Sequence, residues 1–222
     1  MNVLKTTAIA ALLAASGAAT AVELTGNVAL TTDYVWRGIS QSDNAPAIQG
    51  GFDADLGQGL YAGVWGSNVE FNNDNSIELD LYAGWAGEYE GVGVDVGVIH
   101  YHYSGSAELN ANEAYVGVSF GPATLTQYFG LDTGSESTGD RGYGNYTDLA
   151  LDLGSYDVVG FSTHLGYYDL DEASDDYWDV KLAASTTAFG VDFELAYTDT
   201  DHTSDNGKQD DDKVTLTVSK SL

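Results

Sequence analysis

Glu23-Leu24-Thr25-Gly26-Asn27-Val28-Ala29-Leu30-Thr31-Thr32-Asp33-Tyr34-Val35-Trp36-Arg37 is the stretch that decides the fold. Leu24, Gly26, Val28, Leu30, Tyr34 and Trp36 share one parity, while Glu23, Thr25, Asn27, Asp33 and Arg37 share the other. A period of two puts one apolar and one polar face on an extended strand. The pattern restarts along the whole chain. Ile48, Phe52, Ala54 and Leu56 oppose Gln49, Asp53 and Asp55; Ile77, Leu79, Leu81, Ala83 and Trp85 oppose Glu78, Asp80 and Tyr82. Val92 to Val98, Ala114 to Phe120, Leu149 to Leu153, Trp178 to Leu182, Val191 to Tyr197 and Val214 to Val218 continue it. The repeats amount to about twelve strands and an all-β domain.

The connections alternate in length. Short turns fall at 57–59, 87–91, 121–122, 154–157 and 186–190; longer polar loops fall at 40–47, 67–76, 104–112, 132–145, 169–176 and 199–212. Short turns on one rim and long loops on the other fit a transmembrane antiparallel up-and-down β-barrel of the outer membrane. A soluble β-sandwich alternates too. Two features favour the barrel. Trp36, Phe129, Tyr167, Trp178 and Tyr197 gather toward the loop side, with Trp85 and Phe120 toward the turn side, as headgroup-level girdles require. The even strand count also permits closure, which removes edges that lipid cannot hydrate.

Lys5, the apolar run Ala8 to Ala15 and the small-x-small sequence Ala19-Thr20-Ala21 read as a secretory signal peptide over 1–21, leaving 22–222 as the barrel. Nothing after Val22 approaches the about eighteen consecutive apolar residues of a membrane-spanning helix. The chain has no cysteine, so no disulfide holds it. Its formal charge of -27, from 34 acids against seven Lys and Arg, excludes a nucleic-acid partner, whose phosphates need a basic face. An apolar fraction of 43% with regular alternation argues against disorder.

In a barrel the polar parity faces the lumen. It carries Asp33, Asp53, Asp55, Glu78, Asp80, Asp95, Asp148, Asp152, Asp179, Asp192 and Glu194, against Arg37 and Lys181. Such a surplus of carboxylates favours cations if the lumen conducts. Side chains can equally fill a barrel of this size. Arg37, with Asp33 on its face, reads either as a constriction that orders the carboxylates or as a structural ion pair that holds the Gly38 turn.

Asn27 to Ser42, Pro46 to Asp53 and Gly59 to Val69 resemble the opening of the TorF-like porins of proteobacteria, over roughly the first third of the mature chain. The resemblance implies a Gram-negative outer-membrane barrel passing small solutes; it fixes no substrate and no catalytic residue, and no cofactor is expected. The chain ends in Lys220-Ser221-Leu222 where such barrels usually end in an aromatic residue. Its acidic lumen is opposite in sign to the arginine tracks of barrels that pass acidic oligosaccharides.

His100 and His102 share a strand face and are the only candidates for a metal in the strands. His164 and His202 have no local partner. The acidic loops 169–176 and 199–212 lack calcium-loop spacing, and divalent ions bridging them to lipopolysaccharide are an alternative to plain solvation. No nucleophile–base motif is present; Ser162 and His164 share a face without one. The expected partners are therefore outer-membrane lipid, lipopolysaccharide and small solutes or cations, with oligomeric state open. A closed structural or adhesive barrel, and a secreted soluble β-protein, are the competing readings.

Overall fold

A computed structural model describes residues 22–71, 76–106, 109–131, 144–170, 176–202 and 209–222. The signal-peptide reading of 1–21 lies outside the described residues, as do parts of the acidic loops. Twelve strands form the wall: β1 (Glu23–Thr31), β4 (Ala47–Gly57), β5 (Leu60–Asn68), β6 (Ile77–Tyr89), β7 (Val92–Tyr103), β8 (Ala111–Phe120), β9 (Ala123–Leu131), β10 (Asn145–Tyr156), β11 (Val159–Asp169), β12 (Tyr177–Ala188), β13 (Val191–Thr200) and β14 (Lys213–Ser221). Neighbours pair antiparallel, and β1 pairs with both β4 and β14, so the sheet closes without an edge. Closure excludes the sandwich. Two further strands, β2 (Val35–Trp36) and β3 (Ile39–Ser40), form a separate hairpin between β1 and β4.

The apolar rows face outward. Leu24, Leu30, Ile48, Phe52, Leu81, Val98, Leu165, Leu182, Leu195 and Leu216 are all exposed on the outer surface, while Glu78, Glu113, Asp148 and Asp179 are buried inside. This order is inverted relative to a water-soluble protein and is the order a lipid-facing barrel needs. Strands of 9 to 13 residues match a tilted span of a bilayer's hydrocarbon core. Phe129, Trp178 and Tyr197 ring the loop side, and Trp85 and Phe120 the turn side. Lys220 lies on the outer parity near the turn rim and is exposed.

Two of the short turns are built alike. In Asp55-Leu56-Gly57 and Asp152-Leu153-Gly154 the pairing register slips by one residue. In both, the Asp carboxylate accepts the Gly N–H, at 2.7 and 2.8 Å. Asp55 and Asp152, assigned to the lumen by parity, thus hold bulges at the turn-side rim.

The lumen wall on this half is papered with tyrosines. Tyr82 lies flat over Gly63, and Tyr115 over Gly97, where any Cβ would overlap the ring. The absence of a side chain on those glycines lets the rings hug the wall.

Candidate functional site

The polar lumen is divided by a hairpin that the alternation conceals. The first strand leaves the wall at Thr31, not near Trp36, and residues 32–46 turn into the lumen. Tyr34 and Trp36, placed on the outward apolar row by parity, are packed inside among Tyr101, Tyr168 and Val69; Trp36 does not belong to the girdle. The parity survives because the hairpin is itself extended, but the face it presents has changed.

Local chemistry explains the turn. Arg37 (φ 48°) and Gly38 (φ 82°) occupy the two central positions between Trp36 and Ile39, both at positive φ, as a two-residue hairpin of the I′ kind requires. Glycine is at ease there; arginine is held there at a cost of about 1 kcal/mol by what its side chain finds. The base of the loop is knitted to itself. The Ser40 hydroxyl donates to Asp33 at 2.6 Å, Asn44 N–H donates to Ser40 Oγ at 2.9 Å, and Tyr34 N–H donates to Ser42 Oγ at 2.9 Å. Burial pushes the Asp33 carboxyl above its ordinary pKa, and the Ser40 and Ser42 hydroxyls work against that rise.

Arg37 crosses to the far wall. Its guanidinium donates to both oxygens of Glu113 on β8, at 2.8 and 2.7 Å. The two side chains are 4% and 0% exposed. The guanidinium carbon lies 4.1 Å from the Trp36 ring centroid, 4.3 Å from Tyr146, 4.8 Å from Tyr168 and 5.1 Å from Tyr128. Tyr101 donates its hydroxyl to Glu113 at 2.9 Å. Gly38 rests on the opposite side, where an added Cβ would stand 2.7 Å from Asp179 Cβ on β12. The tip therefore spans the lumen from β8 to β12.

Wall and hairpin close together at this level. Thr31, Ala47, Ser67, Glu78, Tyr101, Glu113, Tyr146, Tyr168, Tyr177, Thr198 and Lys213 come from every wall strand but β9, and all are buried. Tyrosine rings of β8 to β12 continue the layer, with Tyr115–Tyr128, Tyr128–Tyr146, Tyr146–Tyr168 and Tyr168–Tyr177 centroids 5.5 to 6.1 Å apart. These residues leave little accessible surface at this level, and Tyr34, Trp36 and Tyr128 beside them are half-buried.

Below the hairpin, the sequence-read acids sit on the lumen face in pairs. Asp95 accepts from Tyr61 at 2.6 Å, Asp53 from Tyr82, and Asp192 from Thr187 at 2.5 Å. Glu194 pairs with Lys181 at 2.7 Å. At the hairpin's own level Glu78 accepts from Tyr34 at 3.0 Å, and Asp80 follows it, buried, two residues along β6. Arg37 and Asp33 are not partners: Asp33 stays within the hairpin and Arg37 takes Glu113.

His164 has partners after all. Its Nδ1 lies 3.1 Å from Asp148 and its Nε2 2.9 Å from Asp179, and Asp179 also accepts from Tyr146 at 2.9 Å. The ring thus stands between two buried carboxylates, an arrangement that favours a proton on each nitrogen. The register explains the meeting: Gly166 pairs with Asp148 on one side and Asp179 on the other, leaving room above its bare Cα. His202 likewise has a partner, with Nδ1 3.3 Å from Asp210. His100 and His102 lie on the outward face with rings stacked 6.4 Å apart, and His100 meets Asn112 at 3.0 Å. Among the described residues no three His, Cys, Asp or Glu side chains converge as metal ligands.

Glu113, Tyr101, Tyr128, Tyr146 and Tyr168 were missed by the sequence reading, which weighed acids strand by strand. Their parity was available: Ala111, Glu113 and Tyr115 oppose Ala114, Val116 and Val118.

Fold and site together define a closed β-barrel with an apolar exterior and a charged lumen plugged from within. Residues 15–222 match a family described as bacterial protein of unknown function (Gcw_chp), and the chain belongs to that family. No curated protein matches. Among solved structures, the chain is similar to one from a study of the in-meso crystallization of membrane proteins, with 11% identity and a TM-score of 0.55 over 90% of this chain and 83% of that one. It also aligns with the outer membrane protein OpdK from Pseudomonas aeruginosa (12% identity, TM-score 0.44, 80% of this chain, 57% of that one). A refined porin aligns at 11% identity and TM-score 0.42, over 91% of this chain and all of that one.

Proposed function

We propose that the chain is an outer-membrane channel of porin type, exported by the signal peptide and related to the TorF-like porins, whose acidic lumen favours small cations. It is a conduit without catalytic chemistry, seated in lipid and lipopolysaccharide. The observation that carries the reading is the inverted wall: outward leucine and valine rows around a lumen holding Asp53, Glu78, Asp80, Asp95, Glu113, Asp148, Asp179 and Glu194 against Arg37, Lys181 and His164. Carboxylate rings at close quarters attract cations and repel anions. The hairpin sets the conductance low by occupying the outer half of the lumen.

Planar-bilayer recording under a potassium chloride gradient tests this, on the native protein and on a variant with residues 33–45 replaced by a short glycine-serine loop. The expected result is a small cation-selective conductance that the deletion enlarges. Anion selectivity, or silence in both proteins, overturns it. The buried layer around Arg37 favours one second reading, a permanently closed structural barrel; silence in both proteins is its signature.

A further inference from the structure

The surroundings of Arg37 are those of a receptor for its own side-chain group. Glu113 offers two parallel acceptors at 2.8 and 2.7 Å, the geometry that distinguishes a guanidinium from a spherical ammonium. Ring faces enclose the cation, three of them from the wall itself: Tyr128 on β9, Tyr146 on β10 and Tyr168 on β11. Tyr101 fixes the carboxylate by a 2.9 Å hydrogen bond that does not involve Arg37. Wall residues therefore supply the whole receptor except Trp36, and the hairpin supplies the occupant. The side chains of Asp33, Ser40 and Ser42 bond within the hairpin, so its base holds together as a unit; besides the Arg37–Glu113 pair, its ties to the rest of the barrel include Tyr34 to Glu78, Thr31 Oγ1 to the Asp33 carbonyl and Ser40 N–H to the Gln209 carbonyl.

We infer that this socket is a binding site for guanidinium-bearing solutes, held in the resting state by Arg37 as an internal pseudo-ligand. A free guanidinium that takes Glu113 and the tyrosine faces displaces Arg37, and the hairpin tip leaves the lumen. This rests on the channel reading and names the solute class that opens it. An aromatic cage closed by a carboxylate discriminates by shape and charge together: urea has the shape without the charge, and methylammonium the charge without the planar fork.

The test is potassium conductance of the native protein in planar bilayers with methylguanidinium, methylammonium or urea added at millimolar concentration. Methylguanidinium should raise the conductance at a concentration roughly tenfold lower than methylammonium, with no effect of urea. Equal potency of the two cations overturns the inference, and so does a native protein indifferent to both while the hairpin deletion conducts cations. In that last case the channel reading stands; an anion-selective or silent deletion variant is what overturns the channel reading itself. Glu113→Gln should abolish the preference for methylguanidinium. Tyr128→Leu, which removes one ring and leaves the ion pair, should reduce it severalfold while the protein keeps its heat-modifiable mobility on gels. A preference unchanged in both variants overturns the assignment of the socket.

Discussion

Replacing Arg37 by Met and Glu113 by Gln, singly and together, measures how firmly the plug is held. Both side chains are essentially out of solvent, at 4% and 0% exposure, so their pairing escapes the screening that makes surface ion pairs nearly worthless. Arg37→Met leaves the Glu113 carboxylate with the Tyr101 hydroxyl as its remaining hydrogen bond, and also removes the cation from four ring faces. Glu113→Gln leaves a buried guanidinium facing a neutral amide. Removing one member of a buried pair costs about 3–5 kcal/mol, because the other charge is stranded. The double variant strands neither charge, and Gln keeps an acceptor for Tyr101. Its cost should fall below about 2 kcal/mol, giving a coupling of about 4 kcal/mol or more. Urea unfolding in lipid vesicles, followed by tryptophan fluorescence, supplies the three free energies, and Trp36 beside the guanidinium reports the site itself. Costs that add within about 0.5 kcal/mol would refute the pair as the clamp.

Gly38→Ala places a Cβ at positive φ and 2.7 Å from Asp179 Cβ, so the tip should lift and conductance rise while gel mobility still shows a folded barrel. Asp55→Ala and Asp152→Ala each remove a side-chain acceptor from a bulge N–H and should cost about 1 kcal/mol in urea unfolding, with conductance unchanged. Leu81→Lys puts a charge on the outward face and should cost about 2–4 kcal/mol in vesicles; a neutral result would mean that this face does not meet lipid. His164→Gln removes the ring that stands between two buried carboxylates and any positive charge it carries, and should cost about 3–5 kcal/mol; a loss under about 0.5 kcal/mol would show that the ring does not bridge them.

The wall was legible because each strand announces itself locally. Ile77 to Trp85 needs only its own alternation to be read, and its lipid and lumen faces follow from the same letters. The hairpin was not legible for the same reason. Tyr34 and Trp36 continue the parity of Leu24 to Leu30, and parity records which side of a strand a residue is on, not which surface that strand lies against. The break was marked only by Thr31-Thr32-Asp33 and by Gly38. Arg37 and Glu113 are 76 positions apart, and a contact across a barrel lies in no sequence window. His164 is an intermediate case. Asp148 and Asp179 stand on adjoining strands, so the meeting follows once the register places Gly166 between them, but the register itself depends on the turns.

The placement of the one cation in the hairpin tip ties opening to selectivity. Arg37 neutralises Glu113 where both side chains are buried, so a plug that simply swung away would leave a carboxylate buried and unpaired, the costly arrangement that holds the clamp shut. Opening is favourable only when another cation arrives at Glu113. The open channel then holds at Glu113 a carboxylate that exchanges cations with solution, where the closed one held Arg37. Arg37→Met should therefore conduct with a stronger cation selectivity than the Arg37→Met, Glu113→Gln double variant, although both lack the plug's charge. Reversal potentials in the same potassium chloride gradient compare them directly. Equal potentials would mean that selectivity is set by Asp53, Asp95 and Glu194 deeper in the lumen, and that the level closed by Arg37 is a gate with no part in choosing the ion.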